Sequence, residues 1–213
     1  NSISFFGNLN LDKDFHDRTK MIMDIKSKID CFDIYADINR PKKYYSYKYK
    51  LLKLRHKSSR NLKNIFPNLN LNNWEDEKIL PKDPWELGET FTRKVMKPLY
   101  GREMFEKLGQ YSMTFNQHNK HTGDIACNMR MFEATGMGSA LVTDYKRDIC
   151  DYFSSDDEIV VYKNKLEAID KIKYLISNPK VSLSIARKGQ FRCHNSHNSK
   201  IINEIFYDIL LNC

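Results

Sequence analysis

The residues best suited to bind a charged ligand lie in the segment 128–143, where a polar stretch leads into a predicted helix. Arg130 and Glu133 are three residues apart, so they share one helix face. The N–H groups and the dipole at such a helix start favour an anion such as pyrophosphate, and Arg130 would add a positive charge. Glu133 could accept hydrogen bonds from the two hydroxyls of a ribose. From spacing alone, an ordinary surface pair of Arg130 with Glu133 is the favoured alternative.

Two short motifs have the spacing of metal ligands, namely His118-x-x-His121 and Cys193-His194-x-x-His197. Neither has a clear set of four ligands and both lie in polar segments, so we expect no bound metal. For His118, solvation in a loop is as plausible as a contact with a ligand. No Ser/His/Asp or Cys/His arrangement indicates a nucleophile, and no catalytic residue is assigned.

Alternating strands and helices must position these residues. Alternating or buried-type apolar runs predict strands over 2–6, 31–35, 111–115, 139–143 and 159–162. Helical spacing predicts helices over 14–29, 101–109, 124–135, 165–177, 180–190 and 198–211. The order predicts an α/β fold with a Rossmann-like parallel sheet flanked by helices. Gly7 and Asn8 predict a loop at the carboxyl end of the first strand, the edge where open α/β sheets bind ligands.

The charge of the chain is concentrated in one segment. The 213 residues include 35 Lys+Arg and 27 Asp+Glu, for a net charge of +8. Ten of the basic residues and no acidic residue lie in 40–63, so the rest of the chain is nearly neutral. This distribution argues against a dedicated nucleic-acid-binding fold. We therefore predict one domain over 1–213, with an insertion or long connection over about 40–97 that stays outside the sheet.

Three interpretations of 40–63 remain open. The plainest is a solvated, mobile loop. The second is a peripheral membrane helix, because a weak apolar stripe of Tyr and Leu faces a cationic side that suits anionic lipid. Nucleic acid is the third and weakest. The cysteines bear on location. Five widely spaced cysteines without a CxxC motif favour a reducing compartment, so we expect a cytoplasmic protein. If 40–63 is a membrane helix, the protein would attach to the inner face of a membrane.

Several motifs together resemble one enzyme family. They are Tyr100-Gly101, Asn116-Gln-His118, Asn128-x-Arg130-x-Phe-Glu133-Ala, Gly136-x-Gly138 and Leu141-Val-Thr143, preceded by Phe6-Gly7-Asn8 and Arg18. This set is similar to the C-terminal half of a group-1-type glycosyltransferase of the CgeB-like branch, which has the GT-B fold. The resemblance covers about 1–36 and 98–212.

The resemblance implies a function and a site. The domain would hold a nucleoside-diphosphate sugar, whose sugar moves to a hydroxyl acceptor such as a glycan, a lipid-linked molecule or a cell-envelope component. Glu133 would bind the ribose, Arg130 the leaving phosphate, and Gly7 with the helix start at 124–130 the diphosphate. Arg18 and His118 are further candidates for donor contacts. Such enzymes generally work without a bound metal.

The sequence departs from this family in two respects. Many relatives carry an acidic residue eight positions before the ribose-binding one, where this chain has Ile125. The neighbouring Asp124 is therefore expected to cap the helix instead. The family also needs an N-terminal domain that binds the acceptor, which we expect to lie outside these residues. A non-catalytic module that binds a nucleotide or polyanion at a membrane surface is the competing hypothesis.

Overall fold

The computed structural model of this chain describes residues 2–10, 16–39, 94–119, 122–126 and 128–211. The strands in these ranges are β1 Ile3–Asn10, β2 Phe32–Asn39, β3 Met113–Phe115, β4 Ala140–Asp144 and β5 Val160–Tyr162. The helices are α1 His16–Lys28, α2 Gly101–Leu108, α3 Met129–Gly136, α4 Ile149–Tyr152, α5 Lys165–Ser177, α6 Pro179–Ser196 and α7 Ser199–Leu211.

The five strands form one parallel sheet in the order β2-β1-β3-β4-β5. The chain moves outwards from β1 to β2 on one side and from β3 to β5 on the other. The topological switch point therefore lies between β1 and β3, where Ile3 pairs with Met113 and Phe5 with Phe115. The predicted Rossmann-like sheet flanked by helices is confirmed.

Both sides of the sheet contribute to the core. One hydrophobic cluster joins side chains of β1, β2, β4 and β5 to α2, α3, α4 and α6. A separate aromatic contact set centres on Phe115, which stacks on Tyr162 at 5.4 Å between ring centroids and meets Phe32 edge-on at 6.1 Å. Because neighbouring side chains of a strand face opposite sides, Phe5 and Phe6 extend into different parts of this core.

The helix α5 shows why these segments form where they do. Asn164 begins it by accepting a hydrogen bond from the N–H of Glu167 at 3.1 Å, and Glu167 binds the N–H of Lys163 at 2.8 Å. Apolar side chains at helical spacing are buried beneath it, and Pro179 begins the next helix. The predicted bounds of 165–177 are therefore confirmed.

Close packing fixes α6 against its neighbours. It contacts α3, α5 and β4. At Gly189 an added Cβ would lie 2.4 Å from the carbonyl oxygen of Glu158, so only glycine fits there. Gly138, just after α3, has a φ of +80°, a backbone conformation that residues with a side chain rarely adopt.

The chain divides into two compact units. The larger contains Asn1–Gly7, Lys20–Asp37 and Val95–Cys213. The smaller contains Asn8–Thr19 and Ile38–Lys94. Most of the smaller unit, including the basic segment 40–63, lies outside the described residues.

The predicted insertion touches the sheet near its end. Met96 forms a parallel bridge with Tyr35 of β2, with its N–H donating to the carbonyl of Ile34 at 2.8 Å. This single bridge adds no further strand to the five of the sheet, and 40–93 lies outside the described residues, so an insertion over about 40–97 stays a prediction.

Other predicted boundaries also need correction. β2 continues to Asn39 rather than ending at 35, β3 begins at Met113 rather than at 111, and α6 continues to Ser196 rather than ending at 190. The short helix α4 was not predicted. Among the described residues, no helix combines the length and apolar character that a membrane crossing requires.

Candidate functional site

The candidate site lies at the switch point of the sheet, the position where open α/β folds bind ligands beyond the carboxyl ends of the strands. The end of β3 leads into Asn116 and His118, and the helix α3 follows this loop. β1 continues past its last pair with β3 and carries Phe6 to the same region.

Arg130 and Glu133 form an ion pair on α3. The Nη1 of Arg130 lies 2.7 Å from the Oε2 of Glu133. Their side chains are only 16% and 17% exposed, so this is not the ordinary surface pair that spacing alone favoured. An Arg–carboxylate pair that is mostly removed from water has a fixed geometry, as a binding site requires.

Two further side chains enclose Arg130. Its guanidinium carbon lies 5.6 Å from the centre of the Phe6 ring, within the range of a cation–π contact. Its Nη1 also lies 2.9 Å from the Sδ of Met104 on α2. Burial lowers the pKa of Arg130, and the charge of Glu133 acts in the opposite direction. A guanidinium still stays protonated at neutral pH, so Arg130 provides a permanent positive charge.

The helix α3 begins at Met129, later than the predicted start. Asn128 is its N-cap and accepts a hydrogen bond from the N–H of Arg130 at 2.8 Å. Asp124 therefore does not cap the helix, and 124–126 belongs to the preceding turn. The correction places Arg130 in the first turn, where the helix dipole favours a bound anion.

Asn116 connects this helix start to the sheet. Its side chain is buried, its Nδ2 donates to the Oγ1 of Thr143 at 3.0 Å, and its Oδ1 accepts from the Nδ2 of Asn128 at 2.7 Å. Its backbone N–H donates to Val142 at 2.8 Å, and its carbonyl accepts from the hydroxyl of Tyr162 at 2.9 Å. The polar groups of Asn116 are thus bonded to three elements at once.

His118 is buried rather than solvated. Its side chain is 0% exposed, its Nδ1 lies 2.8 Å from the Oδ1 of Asp144, and its Nε2 lies 3.3 Å from the Sδ of Met131. Its backbone N–H also donates to Asp144 at 2.7 Å. The structure therefore gives His118 the geometry of an anchor for the loop after β3. Its enclosed ring contradicts the predicted solvation, while a contact with a ligand stays a prediction.

The segment after β4 holds the loop between β3 and α3 at three more points. The Nζ of Lys146 donates to the carbonyl of Gly123 at 2.6 Å. The N–H of Arg147 donates to the carbonyl of Asp124 at 3.1 Å, and Asp148 accepts from the N–H of Ala126 at 2.7 Å. The loop that precedes α3 is thus fixed by contacts distant in sequence.

We predict that Asp144 makes stability depend on acidity. Burial tends to raise the pKa of Asp144, but hydrogen bonds and charge from His118, with Lys146, outweigh it and hold the pKa below its usual value. A carboxyl group with a lowered folded-state pKa stabilises the fold above its unfolded pKa of about 3.9, and that contribution is lost as pH falls through the folded value. Asp144→Asn should therefore cost most near pH 7, and its cost should shrink below about pH 4.

Urea unfolding of both proteins between pH 3 and pH 7 measures this difference. Asp151→Asn, an exposed carboxylate on α4, is the matched control and should differ little from wild type at any pH. A cost of Asp144→Asn that stays constant across this range would contradict the prediction.

The two remaining predicted site residues lie in β1 and α1. Gly7 is inside β1, which continues to Asn10, so the predicted loop at Gly7 and Asn8 is wrong. Arg18 lies in the first turn of α1, within the helix predicted over 14–29, and its contact with the donor stays a prediction. Arg130, Glu133 and His118 are the predicted residues that the larger unit brings together around α3.

The histidines of the second ligand-like motif bind separate helix ends. His194 Nε2 lies 2.9 Å from the carbonyl oxygen of Gly136, and His197 Nε2 lies 2.8 Å from that of Tyr152. Cys193 lies 3.4 Å from the carbonyl of Phe132. Within the described ranges, no three His, Cys, Asp or Glu side chains group as a metal site, and His121 lies outside those ranges.

The sequence interpretation missed several contributors to the site. Phe6 and Met104 contact Arg130, and Asp144 anchors His118, but apolar spacing marks the first two only as core positions. Asn128 carried a signal, since an asparagine directly before a helical run is a favoured N-cap. Asp124, four residues earlier, fits the same rule, so the rule alone does not distinguish the two positions.

Solved structures share this fold. The C-terminal domain of a group 1 glycosyl transferase family protein, LpcC of Francisella tularensis, aligns with 93% of this chain and 86% of its own, at 11% identity and a TM-score of 0.55. Alr3699/HepE of Anabaena, in complex with UDP-glucose, aligns with 100% of this chain at 12% identity and a TM-score of 0.63. S. aureus TarM, as a variant in complex with fondaparinux, alpha-GlcNAc-glycerol and UDP, aligns with 97% at 12% identity and a TM-score of 0.57.

This chain spans only part of two of those proteins. It covers 49% of the HepE chain and 35% of the TarM chain. The alignments therefore establish the fold of this part, which is similar to that of the LpcC C-terminal domain.

Comparison of the sequence with protein families gives a direct assignment. The profile of the family described as glycosyl transferase-like matches residues 56–204, more than two thirds of the chain. No curated protein matches the sequence. The matched range includes the ion pair of Arg130 with Glu133 and the loop of Asn116 and His118. The chain therefore belongs to the glycosyl transferase-like family, with the fold of a group 1 C-terminal domain of the GT-B type.

Proposed function

We propose that this chain is the donor-binding half of a GT-B glycosyltransferase. It would hold a nucleoside-diphosphate sugar, and the complete enzyme would transfer the sugar to a hydroxyl acceptor. The observation that carries the proposal is the mostly buried pair of Arg130 and Glu133 at the switch point of a chain in this family. HepE and TarM, which share the fold, have been solved with UDP-glucose and with UDP, respectively.

Arg130 and Glu133 have complementary roles in this proposal. Arg130 faces the diphosphate and offsets the negative charge that develops on the leaving nucleoside diphosphate, the main electrostatic demand of glycosyl transfer. Glu133 accepts hydrogen bonds from the ribose hydroxyls.

Their mutual contact leaves capacity for a ligand. The pair uses Nη1 of Arg130 and Oε2 of Glu133, whereas a guanidinium has five N–H donors and a carboxylate has two oxygens. The pair also holds both groups in place before the donor arrives, which reduces the entropy lost on binding.

Thermal unfolding with a panel of UDP-, GDP- and dTDP-linked sugars tests the proposal. A matching donor at about 100 times its Kd should stabilise the chain by about 2.7 kcal/mol. Glu133→Ala should remove most of this effect. Glu106→Gln, an exposed carboxylate on α2 that also pairs with an arginine, is the matched control and should retain it.

Two results would reject the proposal. One is the absence of stabilisation by every nucleotide sugar in the panel. The other is stabilisation that Glu133→Ala leaves unchanged.

The remaining partners stay predictions. We propose a glycan, lipid-linked or cell-envelope acceptor, and we assign the neutralisation of charge to Arg130 and the dipole of α3 rather than to a metal ion. A cytoplasmic location is also a proposal. So is attachment of 40–63 to the inner face of an anionic membrane, because that segment lies outside the described residues. Co-sedimentation with anionic vesicles would test the attachment.

A further inference from the structure

The start of α3 is tied to the sheet by a bridge between two asparagine side chains. Asn128 donates from Nδ2 to the Oδ1 of Asn116 at 2.7 Å and accepts at its own Oδ1 from the N–H of Arg130 at 2.8 Å. One amide group thus connects a residue of the sheet edge to the first turn of the helix. We call the contact between Asn116 and Asn128 the amide bridge.

Asn116 is a fixed point for this bridge. Its backbone is bonded to Val142 and Tyr162, and its side chain is bonded to Thr143, so β4 and β5 hold it in place. Its burial means that water cannot easily replace a lost partner, and an unsatisfied amide there would be costly.

The chemistry of the amide explains why asparagine suits position 128. A cap needs only an acceptor, which serine or aspartate also provides. The bridge needs a donor on the same side chain, with the reach to meet Asn116. Serine is too short to make both contacts, and ionised aspartate has no donor. The side chain at 128 therefore does more than cap the helix.

We propose that Asn116 and Asn128 are positioning residues for the diphosphate site. The amide bridge fixes where α3 begins, and hence where the first-turn residue Arg130 presents its guanidinium. Neither asparagine needs to touch the ligand. This inference rests on the proposed function, because it assigns Arg130 to the diphosphate.

The test separates the bridge from the cap. Asn128→Ser keeps a good capping residue but breaks the bridge, and Asn116→Ala breaks it from the other side. We expect each variant to bind UDP about 10-fold more weakly than wild type by calorimetry, with uridine binding unchanged. The double variant should lose no more than either single variant, because the two changes remove one interaction.

Asn164→Ser is the matched control. The side-chain oxygen of Asn164 also caps a helix, α5, by accepting from the N–H of Glu167. The partner of Asn116 in the amide bridge is Asn128, so this change leaves the bridge intact. It should bind UDP within about twofold of wild type. Wild-type affinity in Asn128→Ser, equal losses for UDP and uridine, or losses that add in the double variant would each overturn the inference.

Hydrogen exchange keeps this test separate from that of the proposed function. Asn116 does not contact the N–H of Arg130, which Asn128 binds. Asn116→Ala should nevertheless accelerate exchange of the Arg130 amide about 10-fold, whether or not any nucleotide binds. If wild type binds no nucleotide, the proposed function fails. If the Arg130 amide exchanges at an unchanged rate in Asn116→Ala, the inference that the amide bridge positions the start of α3 fails, whatever the result with nucleotides.

Discussion

Arg130→Gln should weaken the binding of UDP by about 100-fold while leaving uridine binding nearly unchanged. Glutamine keeps an N–H donor near the position of the Nε of Arg130 but removes the positive charge and the Nη1 that contacts Glu133, so the charge of the site is lost. That charge is mostly buried beside Phe6 and Met104, where little water screens it. A phosphate bonded to such a group depends on it strongly, whereas a nucleoside without phosphates does not.

Calorimetric titration of both ligands measures this ratio. Arg102→Gln is the matched control, because Arg102 also pairs with a glutamate on its own helix but its side chain is 91% exposed. It should bind UDP as wild type does. Equal weakening of UDP and uridine by Arg130→Gln would mean that Arg130 supports the fold rather than the diphosphate.

Gly189→Ala should destabilise the fold by about 2–3 kcal/mol, which corresponds to a fall in Tm of roughly 4–12 °C. The added Cβ would lie 2.4 Å from the carbonyl oxygen of Glu158, a backbone atom that cannot turn aside. The sign is informative, because replacing glycine by alanine inside a helix normally stabilises by up to about 1 kcal/mol. The expected loss therefore reports the contact between α6 and Glu158.

Gly136→Ala is the matched control for this change. The new Cβ would meet the Sγ of Cys193 at 3.5 Å, an ordinary contact distance, so its effect should stay within about 1 kcal/mol. Thermal and urea unfolding of both variants give the comparison. Equal stability of Gly189→Ala and wild type would show that α6 can shift away from Glu158 at no cost.

The order of strands and helices was predictable because it depends on local patterns. The bounds of α5 follow from Asn164 before the apolar run and Pro179 after it. Likewise, Arg130 and Glu133 had to share a face once α3 was a helix. These features need only residues within about one or two helical turns of each other.

The loop between β3 and α3 was not predictable in the same way. Its polar residues suggested solvent, yet His118 is enclosed because Asp144 binds it from another strand. The helix α3 begins at Met129 rather than at the predicted 124, because Arg147 and Asp148 hold the preceding turn. Contacts of more than twenty residues in sequence decide both outcomes, and no local pattern encodes them.

The helix α7 affects the solubility of the chain more than the stability of its fold. None of the α7 residues is buried, whereas large apolar side chains such as Phe206 and Leu211 are exposed along it. Removing α7 would therefore change the free energy of folding little, but it would remove much of the exposed apolar surface through which chains can associate. Substitutions in α7 are thus a route to changing how this chain behaves at high concentration without altering the sheet or the site at its edge.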